Sequence, residues 1–186
     1  MSTILTALVR QTLKWLGGLM PVRLVVPEHH SRTAMKKSAV LIVFSLENQR
    51  YALPLSASER VVRMVAVTPL PDAPDIIMGV VNFHGRIIPV VNMRRRFGLP
   101  EREPSLSDTL IIAHTARRPV ALVADAVLGV IACAVQNQIA AEDILTGIEY
   151  VGGVVKTTDG LIFIHDLDRF LSLEEEDSLD LVLKTH

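Results

Sequence analysis

From Ala39 to Leu171 the chain is cut into short β-branched and aliphatic runs, and no stretch between them has the length and period of a crossover helix. Parallel βαβ units need such helices, so the pattern predicts strands joined mainly by tight turns. "AVLIVFSL" (39–46) reads as a strand, Glu47-Asn48-Gln49 as a turn and "RYALPL" (50–55) as a second strand. "ERVVRMVAVTPL" (59–70) alternates in part, and the proline-marked "PDAPDIIMG" (71–79) reads as a turn or brief helix. "GVVNFHGRIIPVV" (79–91) follows as a hairpin around His84-Gly85. After the polar loop 99–108, "TLIIAHTA" (109–116) and "VALVADAVLGVIA" (120–132) flank the turn Arg117-Arg118-Pro119. "YVGGVVKT" (150–157) and "LIFIHD" (161–166) make a second hairpin across Asp159-Gly160. Many short strands with few and short helices predict an all-β barrel or sandwich.

The 186 residues suffice for one domain or two small ones, and 49 % hydrophobic content with 4 % aromatics predicts an aliphatic core. A net charge of −1 gives no global attraction to nucleic acid or anionic lipid. The single cysteine, Cys133, rules out a disulfide within the chain and reads as a buried small hydrophobe, in keeping with a reducing, cytoplasmic setting. No apolar run reaches the roughly 18 residues of a membrane span, so no membrane insertion is expected.

Residues 1–37 read as an N-terminal extension, amphipathic or disordered, with Leu5, Leu8, Leu16 and Leu19 at helical spacing and Gly17-Gly18 as a break. Met35-Lys36-Lys37 resembles a natural start, which would make the first 34 residues an upstream extension of the reading frame. Residues 175–186 read as a helical tail opened by an acidic cluster.

A catalytic apparatus is hard to assemble. Nucleophile elbows and phosphate loops are missing, and six histidines stand in no zinc-protease spacing. His165, Asp166 and Asp168 are the nearest approach to a metal or acid–base cluster, and a metal-dependent enzyme built on them is a remote alternative. In a strand His165 and Asp166 face opposite ways, so Asp166 or Asp168 is read instead as the cap of the final helix. Arg94, Arg95 and Arg96 could grip phosphates, but with few aromatics nearby they read better as a solvated strand end or a salt-bridged surface, and no nucleic-acid partner is expected. No cofactor is implied.

"GVVNFHGRIIPVVNMRRRFG" (79–98) resembles the central hairpin of the CheW family of chemotaxis coupling proteins. "VLIVFSLENQRYALPL", "RRPVALVADAVLGVI" and "YVGGVVKTTDGLIFIHDLDRFLS" are similar, in order, to the family's opening strands, middle strands and closing hairpin. The resemblance covers about residues 38 to 174. It implies two SH3-like five-stranded β-barrels, interleaved and packed through a shared apolar layer. It also implies a non-enzymatic adaptor that binds the regulatory domain of the histidine kinase CheA and the cytoplasmic tip of chemoreceptors, at receptor arrays under the membrane. A CheW-like module that docks only on a kinase, in a non-motility pathway, is the alternative.

By the same resemblance Arg60, Gly79, Asn82, His84 and Arg94 form the receptor-facing set. Structural readings stand beside two of them: Gly79 as a bend and Asn82 as the partner of a buried backbone group. The chain departs from the family at the turn, where His84 replaces an arginine and Asn92-Met93-Arg94 replaces Asp-Leu-Arg. The glutamate that can pair with the turn arginine falls, counted without gaps, on Arg60. Glu59 is expected to face the other way, so a His–Arg pair is expected in place of an Arg–Glu pair.

Overall fold

The computed structural model describes residues 38–134, 138–140, 151–158 and 160–185. The expectations for residues 1–37 lie outside the described residues. The strands are β1 (Ser38–Leu46), β2 (Gln49–Pro54), β3 (Ser58–Arg63), β4 (Ile77–Phe83), β5 (Arg86–Val91), β6 (Thr109–His114), β7 (Pro119–Ala124), β8 (Ala126–Ala134), β9 (Gln138–Ala140), β10 (Val151–Thr157) and β11 (Gly160–His165). Among the described residues two α-helices accompany them, α1 (Met93–Arg96) and α2 (Leu173–Thr185). The predicted strand over 59–70 is shorter than expected, ending at Arg63.

The strands form two sheets, ordered β8-β1-β2-β11-β10-β9 and β3-β6-β7-β5-β4. Each is built from two antiparallel hairpins laid side by side along one parallel seam. In the first sheet β1–β2 and β10–β11 meet where β2 runs parallel to β11, with Tyr51 opposite Phe163. In the second, β6–β7 and β4–β5 meet where β7 runs parallel to β5, with Ala121 opposite Val90. These seams form without crossover helices, because the second sheet is inserted between the two hairpins of the first and β6 supplies the return path to β7.

Both sheets are open in strand order and curl toward closure through the chain itself. β8 and β9 sit on opposite edges of the first sheet, yet only three residues separate Ala134 from Gln138, which at most spans about 14 Å. Five residues beyond β3, Thr68 bridges Val80 on the opposite edge strand β4, its N–H donating to Val80 O at 2.9 Å and its carbonyl accepting from Val80 N at 2.8 Å. The result is two curled units, of six and five strands, in place of two fully closed five-stranded barrels.

Strand alternation then separates three cores. Leu41, Val43, Ala52, Val155 and Ile162 fill the first unit, with Cys133 among them as expected. Met64, Val81, Ile88, Val90, Leu110 and Ile112 fill the second. The alternate residues Ile42, Phe44, Leu46 and Leu53 from one sheet meet Val91, Ile111, Ala113 and Leu122 from the other in a shared middle layer. Central strands are thus buried on both faces, which is why the sequence shows continuous apolar runs rather than clean alternation.

The C-terminal helix closes this middle layer. Leu179 is fully buried and Val182 nearly so, with Phe170 and Leu171 packed beside them. The cap is Ser172, not Asp166 or Asp168: Ser172 Oγ accepts from Glu175 N at 3.2 Å, and Glu175 Oε2 accepts from Ser172 N at 2.7 Å. That reciprocal capping box satisfies two donors at the helix start. Asp166 caps the short 3-10 turn at Leu167–Arg169 instead. Ser172→Ala is expected to lower stability by about 1 kcal/mol in a urea titration, with the slope unchanged.

Candidate functional site

The hairpin β4–β5 ends in a two-residue turn with positive φ at both His84 (53°) and Gly85 (81°), the type I′ geometry that matches strand twist. Histidine tolerates this left-handed conformation better than branched residues do. Asn82 Oδ1 accepts from Gly85 N at 2.9 Å and fixes the turn from within. The Asn82 side chain therefore satisfies a backbone N–H, but an exposed one in the turn and not the buried group that one reading of it expected.

The expected His–Arg pair does not form. A β-bulge falls between Ser58 and Arg60, so Glu59 and Arg60 both turn toward the hairpin. Glu59 Oε1 accepts from Arg86 at 2.5 Å, and its Oε2 lies 2.8 Å from His114 Nε2. The Arg86 contact holds the Glu59 carboxyl below the usual range, against the upward push of burial. Arg60 instead places its guanidinium 5.8 Å from the Phe83 ring centre, with Arg86 at 5.9 Å, while the His84 ring meets Phe83 edge-on at 4.5 Å. An Arg–Glu pair thus exists at the tip, moved to Arg86 and Glu59. Counting without gaps missed the bulge that makes it possible.

Arg60, Asn82 and His84 are therefore gathered and exposed at one hairpin tip, whereas Gly79 and Arg94 are buried elsewhere. Gly79 lies at a second bulge with φ 145°, and a Cβ built there would stand 2.2 Å from Thr68 O. It lets the chain beyond β3 close on β4. Arg94 is only 9 % exposed and sits under the middle layer's edge.

Arg94 donates to Glu47 Oε1 at 2.8 Å, to both Asp125 oxygens at 2.9 Å and to Pro100 O at 3.1 Å. Arg102 joins the cluster through Asp108 at 2.7 Å and Asp125 at 2.6 Å. Asp125 also accepts from Glu47 N at 2.6 Å. Glu47 belongs to the β1–β2 turn and Asp125 to the crossing from β7 to β8, so the cluster clamps one sheet to the other. Burial pushes the Asp125 and Asp108 carboxyls up, but the guanidiniums and backbone N–H groups outweigh it and hold both below the usual carboxylate range.

The other two arginines of the run are occupied as well. Asn92 Oδ1 caps α1 by accepting from Arg95 N at 3.1 Å, so asparagine does here what the family's aspartate would do. Arg95 pairs with Glu101 at 2.6 Å, and Arg96 pairs with Glu175 at the start of α2. The run is a set of three struts to three different segments, as the salt-bridged reading expected.

His165, Asp166 and Asp168 border one cleft, but each is engaged in contacts of its own. His165 is buried against aromatic rings, 4.5 Å from Phe97 and 5.4 Å from Tyr51 between centres. Asp168 Oδ1 accepts from Ala116 N at 2.6 Å, and Asp166 accepts from Asp168 N at 3.1 Å. Among the described residues no three acidic, histidine or cysteine side chains are placed to hold a metal ion. The remote metal-enzyme reading finds no such group in the described residues, with both aspartates accepting from backbone N–H groups. That cleft is open, has a volume of about 270 Å³, and is lined by Ser56, Ala57, His114, His165, Asp166 and Asp168 among others. His114, which lines the cleft, contacts Glu59 beside the hairpin tip.

Two curled β-units, interleaved and clamped, with an exposed tip beside an inter-sheet cleft, define a β-rich binding module. The chain belongs to the CheW family: the family model for the CheW-like domain matches residues 40–175. The chemotaxis protein CheW of Thermotoga maritima is 32 % identical over 142 residues, covering 74 % of this chain and 90 % of that protein. The corresponding protein of Rhizobium meliloti is 27 % identical over 140 residues, again 74 % and 90 %. Among solved structures, the scaffolding protein TtCheW of Thermoanaerobacter tengcongensis matches with a TM-score of 0.69 at 30 % identity, covering 75 % of this chain and 96 % of that one. The family is one of chemotaxis scaffolds. Among the described residues no helix is long and apolar enough to cross a membrane.

Proposed function

We propose that this chain is a non-enzymatic adaptor that joins the cytoplasmic tip of a chemoreceptor to the regulatory domain of the histidine kinase CheA. It would work in the cytoplasm, recruited to receptor arrays at the inner face of the membrane. The observation that carries this reading is the clamp between the two β-units. A scaffold that holds two partners must keep its two faces in one geometry, so that a shift at one is felt at the other.

The receptor-facing surface in this reading is the hairpin tip with Arg60, Asn82 and His84, together with the adjoining cleft. Gly79 and Arg94 serve it indirectly, by fixing the edge strand and the clamp. The departures at Arg60 and His84 favour a second reading, in which the module docks on a kinase alone in a non-motility pathway.

Retention of the kinase regulatory domain on the immobilised full chain tests the core of the proposal. Specific retention is expected, and a clean absence of it contradicts the adaptor reading. Adding a receptor cytoplasmic hairpin separates the two versions: retention of both supports the coupling protein, retention of kinase alone supports the second reading.

A further inference from the structure

We propose that the tip of the β4–β5 hairpin is an acid-recognising surface, built to take a carboxylate side chain of the partner against Arg60. This rests on the receptor-facing reading and adds the chemistry of what is received. The charge balance of the tip carries it. One carboxylate, Glu59, stands among Arg60, Arg86, His84 and His114, and both its oxygens are taken, one by Arg86 and one by His114. Arg60 is exposed, and no carboxylate among the described residues pairs with it; its contact is the Phe83 ring.

Most of the described arginines are different. Arg86, Arg94, Arg95, Arg96, Arg102, Arg117, Arg118 and Arg169 each meet an acidic side chain. Arg63, also on β3, lacks one too, but strand alternation turns it away from the hairpin. Arg60 is thus a cation held over an aromatic face beside a second guanidinium, an arrangement that an incoming carboxylate relieves. Beside it, the His84-Gly85 turn is held by the Asn82 contact to Gly85 N–H. Charge complementarity at such a rim sets partner choice and association rate more than it sets fold.

Binding of a chemoreceptor cytoplasmic hairpin fragment from the same organism tests the proposal at low and high salt. Wild type is expected to bind more tightly as salt falls, Arg60→Gln several-fold more weakly, and Arg60→Glu about tenfold more weakly with most of the salt dependence gone. Replacing the receptor's acidic residues one at a time by lysine is expected to find one that restores binding to Arg60→Glu. Unchanged affinity and salt dependence in Arg60→Glu, with its melting temperature also unchanged, overturns the acid-recognition proposal while leaving the receptor reading intact. Failure of the wild-type chain to bind the fragment under any salt overturns the receptor reading, and this inference with it.

Discussion

Arg94→Ala is expected to lower the stability of the chain by about 3 kcal/mol, or roughly 10 °C in melting temperature for a unit of this size. The guanidinium is nearly enclosed and holds two carboxylates and a carbonyl that belong to three different segments. Removing it leaves Asp125 with Arg102 and the Glu47 N–H, and takes the Arg94 guanidinium from the Glu47 carboxylate. The lower end of the range for buried pairs applies, because Glu47 is 39 % and Asp125 24 % exposed at the side chain.

The pH dependence gives a signature that simple loss of packing would not. Asp125 and Asp108 have folded-state pKa values below the ordinary Asp value of about 3.9. Between the two values the unfolded chain binds more protons, so this stabilisation is complete above about pH 5 and is lost as pH falls through the folded-state values. The difference in melting temperature between wild type and Arg94→Ala is therefore expected to shrink as pH falls from 7 toward 3. A constant difference would remove the clamp from the account.

Gly79→Ala is the second large effect. The new Cβ would stand 2.2 Å from Thr68 O and 2.8 Å from Val67 Cγ1, on a backbone at φ 145° that an alanine rarely adopts. Both strands are anchored, β4 to β5 and Thr68 to Val80, so neither can move aside cheaply. A cost of about 4 kcal/mol or more is expected, seen as poor folding or a strongly lowered melting temperature. Because Gly79 is buried, any loss of receptor binding should track that loss of fold. A Gly79→Ala chain that melts with the wild type and yet fails to bind would return Gly79 to the partner-facing set.

The two positions mark how far the sequence can be read. Hairpins, apolar runs and the family motif gave the strands of both units, and the aliphatic composition anticipated the cores. The chain closure at Thr68 was not legible, because an isolated bridge between Thr68 and Val80 leaves no periodic signal. Nor was the bulge at Glu59, which inverts the facing that regular alternation assigns and moves the acidic partner of the tip by one residue. The clamp left one clue: Asp125 interrupts the apolar run from Val120 to Ala132, and an acid in such a run needs a cationic partner. Arg94 was picked out by motif, but its burial depends on a β1–β2 turn and a β7–β8 crossing far away in the chain. Arg60, Asn82 and His84 were legible as a group because two lie in one hairpin and the third was assigned by resemblance.

Co-sedimentation of the kinase with receptor fragments clustered on vesicles, with and without this chain, tests the central claim most directly. The account predicts that kinase joins the receptor pellet only when the chain is present, and that Arg94→Ala, at a temperature where it remains folded, bridges less well than wild type. Kinase recruitment that is indifferent to the chain, or receptor and kinase competing for it, would contradict the account.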